Sequence, residues 1–201
     1  MFDFIDIIIK GGLVMAPLLL CSVIALTVVI ERCLFWRRIG NRQAADMLLE
    51  LVERGDMNQA SESARHSDKP LVRVMASGLA HRNDTTKALE VAAQREVPVL
   101  KQRLTILDTI ITLAPLLGLL GTVTGMIGSF GIMSQAGIGQ PHAVTGGVAE
   151  ALIATATGLL IAILTLVPYN YFSNRAEREM EEIEYYASRL ELALGGDKEK
   201  K

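Results

Sequence analysis

The sequence predicts an all-α, polytopic membrane protein with three transmembrane helices and a helical cytoplasmic loop domain. The last two transmembrane helices are predicted to be long and to extend into the cytoplasm. Half of its 201 residues are apolar although 21% are charged, so the charged residues must be segregated along the chain. Three stretches contain no Asp, Glu, Lys or Arg, namely residues 11–30, 109–149 and 151–174. A hydrocarbon core of about 30 Å needs roughly 20 residues of helix, and each stretch has that length. Helices are expected because a membrane span must satisfy its own backbone hydrogen bonds.

The first predicted span covers about Gly12–Ile30. A cleavable signal peptide has a basic start, a short apolar core and a small-residue cleavage site. Residues 1–10 instead hold two Asp and a single Lys, and the apolar run ends in the charged pair Glu31-Arg32. We therefore expect this segment to remain in the protein as a membrane anchor.

The second predicted span covers about Leu104–Phe130 and the third about Val148–Phe172. Their orientation follows from Lys and Arg, which accumulate on the cytoplasmic side of a membrane. The loop between the first and second spans holds 13 of the 20 basic residues and the tail holds 6, whereas the connection 131–147 holds none. The loop and the tail are therefore predicted to be cytoplasmic, and the N-terminus and the connection to lie outside.

These assignments divide the chain into four segments. Residues 1–36 form the outer N-terminus and the first span, and residues 37–103 form a cytoplasmic domain that its apolar spacing predicts to be helical. Residues 104–172 hold the last two spans with the connection 131–147, and residues 173–201 form a cytoplasmic helix and tail. One stripe of the tail helix is apolar, which predicts a packing face. Its members are Ile183, Tyr186, Leu190 and Leu194.

Small residues recur at helical spacing on the second and third spans. In lipid, helices associate through close backbone approach at small residues, because apolar attraction drives little association there. We therefore expect the two spans to pack on each other or on a neighbour, and by itself this pattern favours a structural role. The predicted packing residues are Ala114, Gly118, Gly121, Gly125, Gly128 and Gly158.

Hydroxyl groups within the spans indicate a second possibility. Thr122 and Thr155 have similar predicted depths, about 11 Å below the outer face, because the two helices run antiparallel and rise 1.5 Å per residue. A Thr in a membrane helix often bonds only to its own backbone. Two hydroxyls at matched depth beside glycine stripes nevertheless indicate a shared polar lining. Further hydroxyls come from Thr112, Thr124 and Thr157.

Asp108 and Glu150 are the carboxylates of the predicted spans. Such groups are costly in lipid and usually face a bundle interior or an aqueous cavity, unless they reach a nearby interface. Glu150 is one turn inside the outer end of the third span, and Asp108 is about 21 Å from Thr122 along the second. No Asp, Glu, His, Lys or Arg lies in the middle of any span. Because threonine exchanges no proton near neutral pH, a proton-carrying carboxylate would have to come from another chain.

Three sequence segments together resemble the MotA/TolQ/ExbB proton channel family. They are APLLGLLGTVTGMIGSF at 114–130, EALIATATGLLIAIL at 150–164 and PYNYF at 168–172. The plan of an outer N-terminus, a large cytoplasmic loop and two long C-terminal spans is also similar. The resemblance implies a homo-pentamer in the bacterial inner membrane around a dimer of a single-span, ExbD/TolR-like partner. A transmembrane Asp of that partner would carry the proton within the pore of the pentamer.

The resemblance also implies roles for individual residues. It places the two pore threonines of the family at Thr122 of GTV and Thr155 of IATA, and its third-span Glu at Glu150. Possible additional polar lining comes from Asp108, Thr112 and Thr157. The implied function is that of an ExbB-like motor subunit that uses the proton-motive force to energise outer-membrane import with a TonB-like protein.

Two departures from the family pattern bear on which system the chain serves. Thr124 stands where TolQ and ExbB of enteric bacteria have Trp, so a TolQ-like subunit for envelope maintenance is the alternative to an ExbB-like one. The chain is also shorter than MotA and shows no clear equivalent of its charged, rotor-contacting loop, which disfavours a flagellar stator.

Two further classes of function stay open beside the channel. A purely structural scaffold would use the glycine stripes for assembly alone. An intramembrane enzyme is disfavoured, because the spans contain no nucleophile–base set and the three His are at 66, 81 and 142, outside them. We therefore expect no enzymatic activity, no cofactor, no metal and no nucleic-acid partner, and a chain embedded in a lipid bilayer.

Overall fold

The structure, a computed structural model, describes residues 11–39, 42–65, 67–136 and 141–195. Nearly all of these residues are helical, and no strand occurs among them. The helices are α1 (Met15–Ile39), α2 (Gln43–Glu53), α3 (Met57–Arg65), α4 (Pro70–Ala80), α5 (Thr85–Leu100), α6 (Leu104–Ala136) and α7 (Pro141–Gly195). Three of the helical stretches, which contain α1, α6 and α7, are long and apolar enough to cross a membrane. The predicted all-α fold with three membrane-spanning helices is confirmed.

The last two helices extend beyond the predicted spans. Helix α6 begins at Leu104, as predicted, and continues to Ala136. Helix α7 is 55 residues long, so the third span and the charged tail helix form one uninterrupted element. It begins at Pro141, a residue favoured in the first turn because it has no N–H to leave unpaired. Helical structure therefore enters the connection 131–147 from both sides, and residues 137–140 lie outside the described part of the chain.

The chain forms two compact units. Among the described residues, one unit contains 11–31, 103–136 and 141–171, and the other contains 32–39, 42–65, 67–102 and 172–195. In the first unit, α1 packs beside the paired helices α6 and α7, and the buried residues include Leu18, Leu107 and Ala114. A groove of about 190 Å³ lies between α1 and α7. Its lining consists of Ser22, Ala25, Leu26, Val29, Ile161, Leu164, Thr165 and Pro168.

The second unit is a bundle of α2 to α5 with the C-terminal part of α7. The four apolar residues of the tail stripe are all buried. Leu190 of that stripe lies beside Gly78 of α4. A Cβ on Gly78 would lie 3.3 Å from the Cδ2 of Leu190. Sequence spacing alone did not reveal α4, which Pro70 opens and which buries Leu71, Val74 and Met75. Burial of these residues holds the C-terminal part of α7 against the bundle.

Polar contacts add to this bundle. Arg73 of α4 donates two hydrogen bonds to the carboxylate of Glu96 on α5, at 3.0 and 2.5 Å, and Glu96 is only 8% exposed. The hydroxyl of Tyr186 on α7 donates a hydrogen bond to Asp46 on α2. This bond, together with burial and the negative charge, raises the pKa of Tyr186 to about 12. Burial, reinforced by the neighbouring carboxylate of Glu182, also raises the pKa of Glu179.

Candidate functional site

Helices α6 and α7 approach each other along their small residues. A Cβ on Gly118 would lie 3.0 Å from the Cα of Thr155, and one on Gly125 would lie 3.0 Å from the Cβ of Ala151. A Cβ on Gly158 would overlap the carbonyl oxygen of Ala114. Contacts this close leave no space for a larger side chain, so the two backbones meet because these positions carry Gly and Ala.

The remaining predicted packing residues differ from one another. Gly121 lies against both Ala154 of α7 and Val14, the residue just before α1, so it stands where α6, α7 and the start of α1 meet. Gly128, by contrast, has no described atom within 4 Å of the place where a Cβ would be. The role of Gly128 in packing stays a prediction. Beyond it, Ser129 is buried, lies beside Gly147 and donates a hydrogen bond of 2.9 Å to Gly125.

Thr155 links the two helices directly. Its hydroxyl donates a hydrogen bond of 2.8 Å to the carbonyl oxygen of Gly118 on α6. Thr122 lies one turn further along α6 than Gly118, and its hydroxyl donates to Leu119 of its own helix at 2.7 Å. Both residues are half-buried. Since each gives its hydrogen to a backbone carbonyl, the oxygen lone pairs remain to accept a hydrogen bond from water or from a protonated acid.

Glu150 lies on another side of α7. It precedes Thr155 by five residues, which separates the two by about 140° around the helix at 100° per residue. Its half-buried carboxylate contacts Gly12, just before the start of α1. Thr157 lies within about 20° of the Glu150 side and donates to Ile153 of its own helix at 2.8 Å. The structure thus joins Thr155 to α6 and places Glu150 beside α1.

Asp108 and Thr112 lie near the start of α6, and both are exposed in the single chain. The Thr112 hydroxyl donates to the backbone carbonyls of Thr109 at 2.9 Å and of Asp108 at 3.3 Å. Buried neighbours such as Leu107 and Ile110 face the inside of the unit instead. These two polar residues therefore lie on a face of α6 that the described part of the chain leaves uncovered. Along the helix axis, Asp108 is about 21 Å and Thr112 about 15 Å from Thr122.

Sequence reasoning did not identify Gly12 as part of this arrangement. The signal available was the pair Gly11-Gly12 at the start of an apolar run, and such a pair equally marks an ordinary helix start. Among the described residues, no group of three or more His, Cys, Asp or Glu could hold a metal ion. The polar groups of the candidate site are hydroxyls, backbone carbonyls and carboxylates.

Comparison with known proteins identifies the family. The sequence profile of the MotA/TolQ/ExbB proton channel family matches residues 62–185. A biopolymer transport protein ExbB-like 3 of Synechocystis is 37% identical over 190 residues, covering 90% of each chain. The ExbB1 biopolymer transport protein of Vibrio cholerae is 32% identical over 92% of this chain and 86% of its own length.

A TolQ protein of the Tol-Pal system in Haemophilus influenzae is similar over a shorter segment. It is 41% identical over 91 residues, which cover 45% of this chain and 40% of the relative. The profile match covers more than half of the chain, and the ExbB-like relatives align with nearly all of it. With its three candidate spans, this chain belongs to the MotA/TolQ/ExbB proton channel family.

Proposed function

We propose that the chain is an ExbB-like subunit of a motor in the bacterial inner membrane that the proton-motive force drives. Five copies surround a dimer of an ExbD-like single-span partner and form the proton channel with it. The N-terminus faces the periplasm and the C-terminus the cytoplasm, since 19 of the 20 Lys and Arg follow the first span and lie in the loop and the tail. The full-length similarity to ExbB-like transport proteins supports this assignment.

The hydrogen bond from Thr155 to Gly118 is the observation that carries the proposal. It fixes a hydroxyl at a seam where two backbones touch, and Thr122 supplies a second hydroxyl one turn away. Neither group titrates near neutral pH, so they serve as a lining that accepts hydrogen bonds. A carboxyl group of the partner, protonated in this region, would donate to such oxygens in place of water.

A carboxylate lies near each end of the proposed proton path. Glu150 lies near the periplasmic end of α7 and Asp108 near the cytoplasmic end of α6, in the orientation given above. Asp108, Thr112 and Thr157 are additional polar lining. Carboxylates inside membrane segments are retained where protons or ions pass or where a partner pairs with them. Proton passage then turns the inner dimer, and a TonB-like protein transmits the work to outer-membrane transport.

The alternative is a TolQ-like subunit with a TolR-like partner in envelope maintenance. The identity of 41% to a TolQ protein supports it, but over 91 residues only. ExbB-like relatives match 90% or more of the chain. We therefore favour the ExbB-like assignment.

Co-purification with a single-span partner tests the assembly. The chain is expressed together with a single-span protein from the same genome that carries one Asp in its span, and the mass of the complex is measured in lipid nanodiscs. We expect five copies of the chain and two of the partner. A chain that purifies alone, or with a different stoichiometry, contradicts the proposed assembly.

Proton flux tests the channel itself. The complex is reconstituted in liposomes with an internal pH dye and a potassium diffusion potential. We expect flux that disappears when the partner's Asp is replaced by Asn and when Thr155 is replaced by Val. Flux that persists in both variants would overturn the pathway. Loss of outer-membrane uptake on deletion of the gene would identify the ExbB role. Detergent sensitivity without loss of uptake would identify the TolQ role.

A further inference from the structure

We propose that Gly12 is the positioning residue of Glu150, and that only glycine at position 12 lets the carboxylate lie against the start of α1. The contact between the two residues is independent of what the protein does. Its importance for proton passage rests on the proposed function. Gly12 precedes α1, whereas the predicted site residues all lie on α6 and α7.

The contact is close on the Gly12 side. A Cβ built on Gly12 would overlap the carboxylate oxygen and carbon of Glu150 and would lie 3.3 Å from its Cγ. The backbone of Gly12 also has φ of +71°, in the left-handed region where an L side chain is strained. Two separate requirements, free space and a left-handed conformation, therefore select glycine at this position.

The surroundings of Gly12 prevent α1 from moving aside. Val14 lies 3.7 Å from the position of a Cβ on Gly121 of α6, and Met15 and Leu18 are 3% and 0% exposed. The first turn of α1 is thus wedged against its neighbours. A side chain added at position 12 would displace the carboxylate of Glu150 and leave the helix in place. The half-buried Glu150 side chain can adopt another rotamer, whereas movement of a packed helix would disturb all its contacts.

The carboxylate of Glu150 lies at the N-terminal end of α1. A helix dipole is positive at this end, which favours a carboxylate there. Gly12 accepts the hydrogen bond from the N–H of Met15 and therefore stands at the entry of α1. Glu150 thus lies beside the start of α1, about 140° around α7 from Thr155. Gly12 consequently decides toward which helix Glu150 turns.

Substitution of Gly12 by Ala, with a matched control, tests this role. Gly55, between α2 and α3, has φ of +80° and no described atom within 4 Å of a Cβ. Gly55→Ala therefore reports the strain of a left-handed alanine alone. Both variants are made in the full chain in nanodiscs, and thermal unfolding is followed. Gly12→Ala should lower Tm by more than Gly55→Ala does.

A double-mutant cycle separates the displaced carboxylate from strain. In the Glu150→Ala background, Gly12→Ala should lower Tm only as much as Gly55→Ala does, because the overlapping group is gone. An effect of Gly12→Ala that is unchanged by Glu150→Ala would overturn the proposal. Partial recovery of Tm by Glu150→Asp in the Gly12→Ala protein would support it, since Asp is one methylene shorter.

Chemical modification gives a readout that a purely structural role would not change. A hydrophobic carbodiimide is added to the folded chain, and modification of Glu150 is quantified by mass spectrometry. The rate should rise several-fold in Gly12→Ala and stay unchanged in Gly55→Ala. Equal rates in the wild type and in Gly12→Ala would overturn the positioning role. Neither unfolding nor modification requires proton flux, so a failure of the proposed channel function would leave both results intact.

Discussion

The hydroxyl of Thr155 donates a hydrogen bond of 2.8 Å to the carbonyl oxygen of Gly118, across the seam between α7 and α6. This carbonyl belongs to a glycine on which a Cβ would come within 3.0 Å of the Cα of Thr155. The bond and the close approach depend on each other, since a wider helix separation would leave the hydroxyl too far away. The same residue thus contributes to packing and to the proposed lining.

Replacing Thr155 by Val should separate these two contributions. Val has nearly the same shape and no hydroxyl, so assembly should persist with a loss of about 1 kcal/mol of stability, typical of a hydrogen bond between membrane helices. Proton flux should fall to background, and Thr155→Ser should retain most of it. Thr27→Val on α1 is the matched control, because its hydroxyl donates to Val23 of its own helix and Thr27 is not part of the proposed lining. Equal loss of flux in both Val variants would contradict a specific role for Thr155.

Replacing Gly158 by Ala tests the packing seam. The added methyl group would overlap the carbonyl oxygen of Ala114, so the helices must separate, at a cost of about 1–3 kcal/mol. We expect a lower Tm in detergent and a larger fraction of dissociated chains on gel filtration. Gly131→Ala is the control, because no described atom lies within 4 Å of the added group. A similar fall in Tm for both variants would contradict the importance of the seam.

The pair Tyr186–Asp46 predicts a loss of stability at alkaline pH. The pKa of Tyr186 is raised from 10 to about 12, so the folded protein holds this proton more tightly than the unfolded chain. The resulting stabilisation is complete below pH 10 and disappears as the pH rises to about 12. Tyr186→Phe should cost about 1.5–3 kcal/mol at neutral pH, as expected for a hydrogen bond to a charged group.

Urea unfolding at a series of pH values measures this effect. The free energy of unfolding of the wild type should decrease more steeply between pH 10 and 12 than that of Tyr186→Phe. Parallel curves for the two proteins would contradict the role of the phenol. Tyr185→Phe is a suitable control, since Tyr185 is 57% exposed.

The ion pair Arg73–Glu96 should stabilise the bundle of the second unit. Glu96 is 8% exposed and accepts two hydrogen bonds from Arg73, so Glu96→Ala leaves a guanidinium without its partner. Because that guanidinium is partly solvated, we expect a loss of about 1–3 kcal/mol. The exposed pair Arg54–Glu50, at 3.6 Å, is the control, and Glu50→Ala should cost less than about 0.5 kcal/mol. Chemical unfolding measures the free energy of unfolding of both variants, and equal losses would contradict the prediction.

The sequence by itself determined the three spans, because uncharged stretches of 20 or more residues have few alternatives to a membrane helix. The stripe of Gly118, Gly121 and Gly125 likewise predicted close helix packing, since 100° per residue places these residues on one face. Helix α4 was not predicted from the sequence, because Pro70 and a short apolar run are also typical of a loop followed by a strand. Its assignment needed the partner helices that bury it.

Only the tertiary structure decided which neighbour each polar residue meets. Depth along a helix follows from counting residues, and so Thr122 and Thr155 could be matched in advance. The direction of the Glu150 side chain could not be predicted, because it depends on where α1 enters the bundle. Gly12 is separated from Glu150 by most of the chain. A contact between such distant residues leaves no periodic signal in either segment. It arises from the packing of three helices, and it places Glu150 beside α1 while Thr155 bonds to α6.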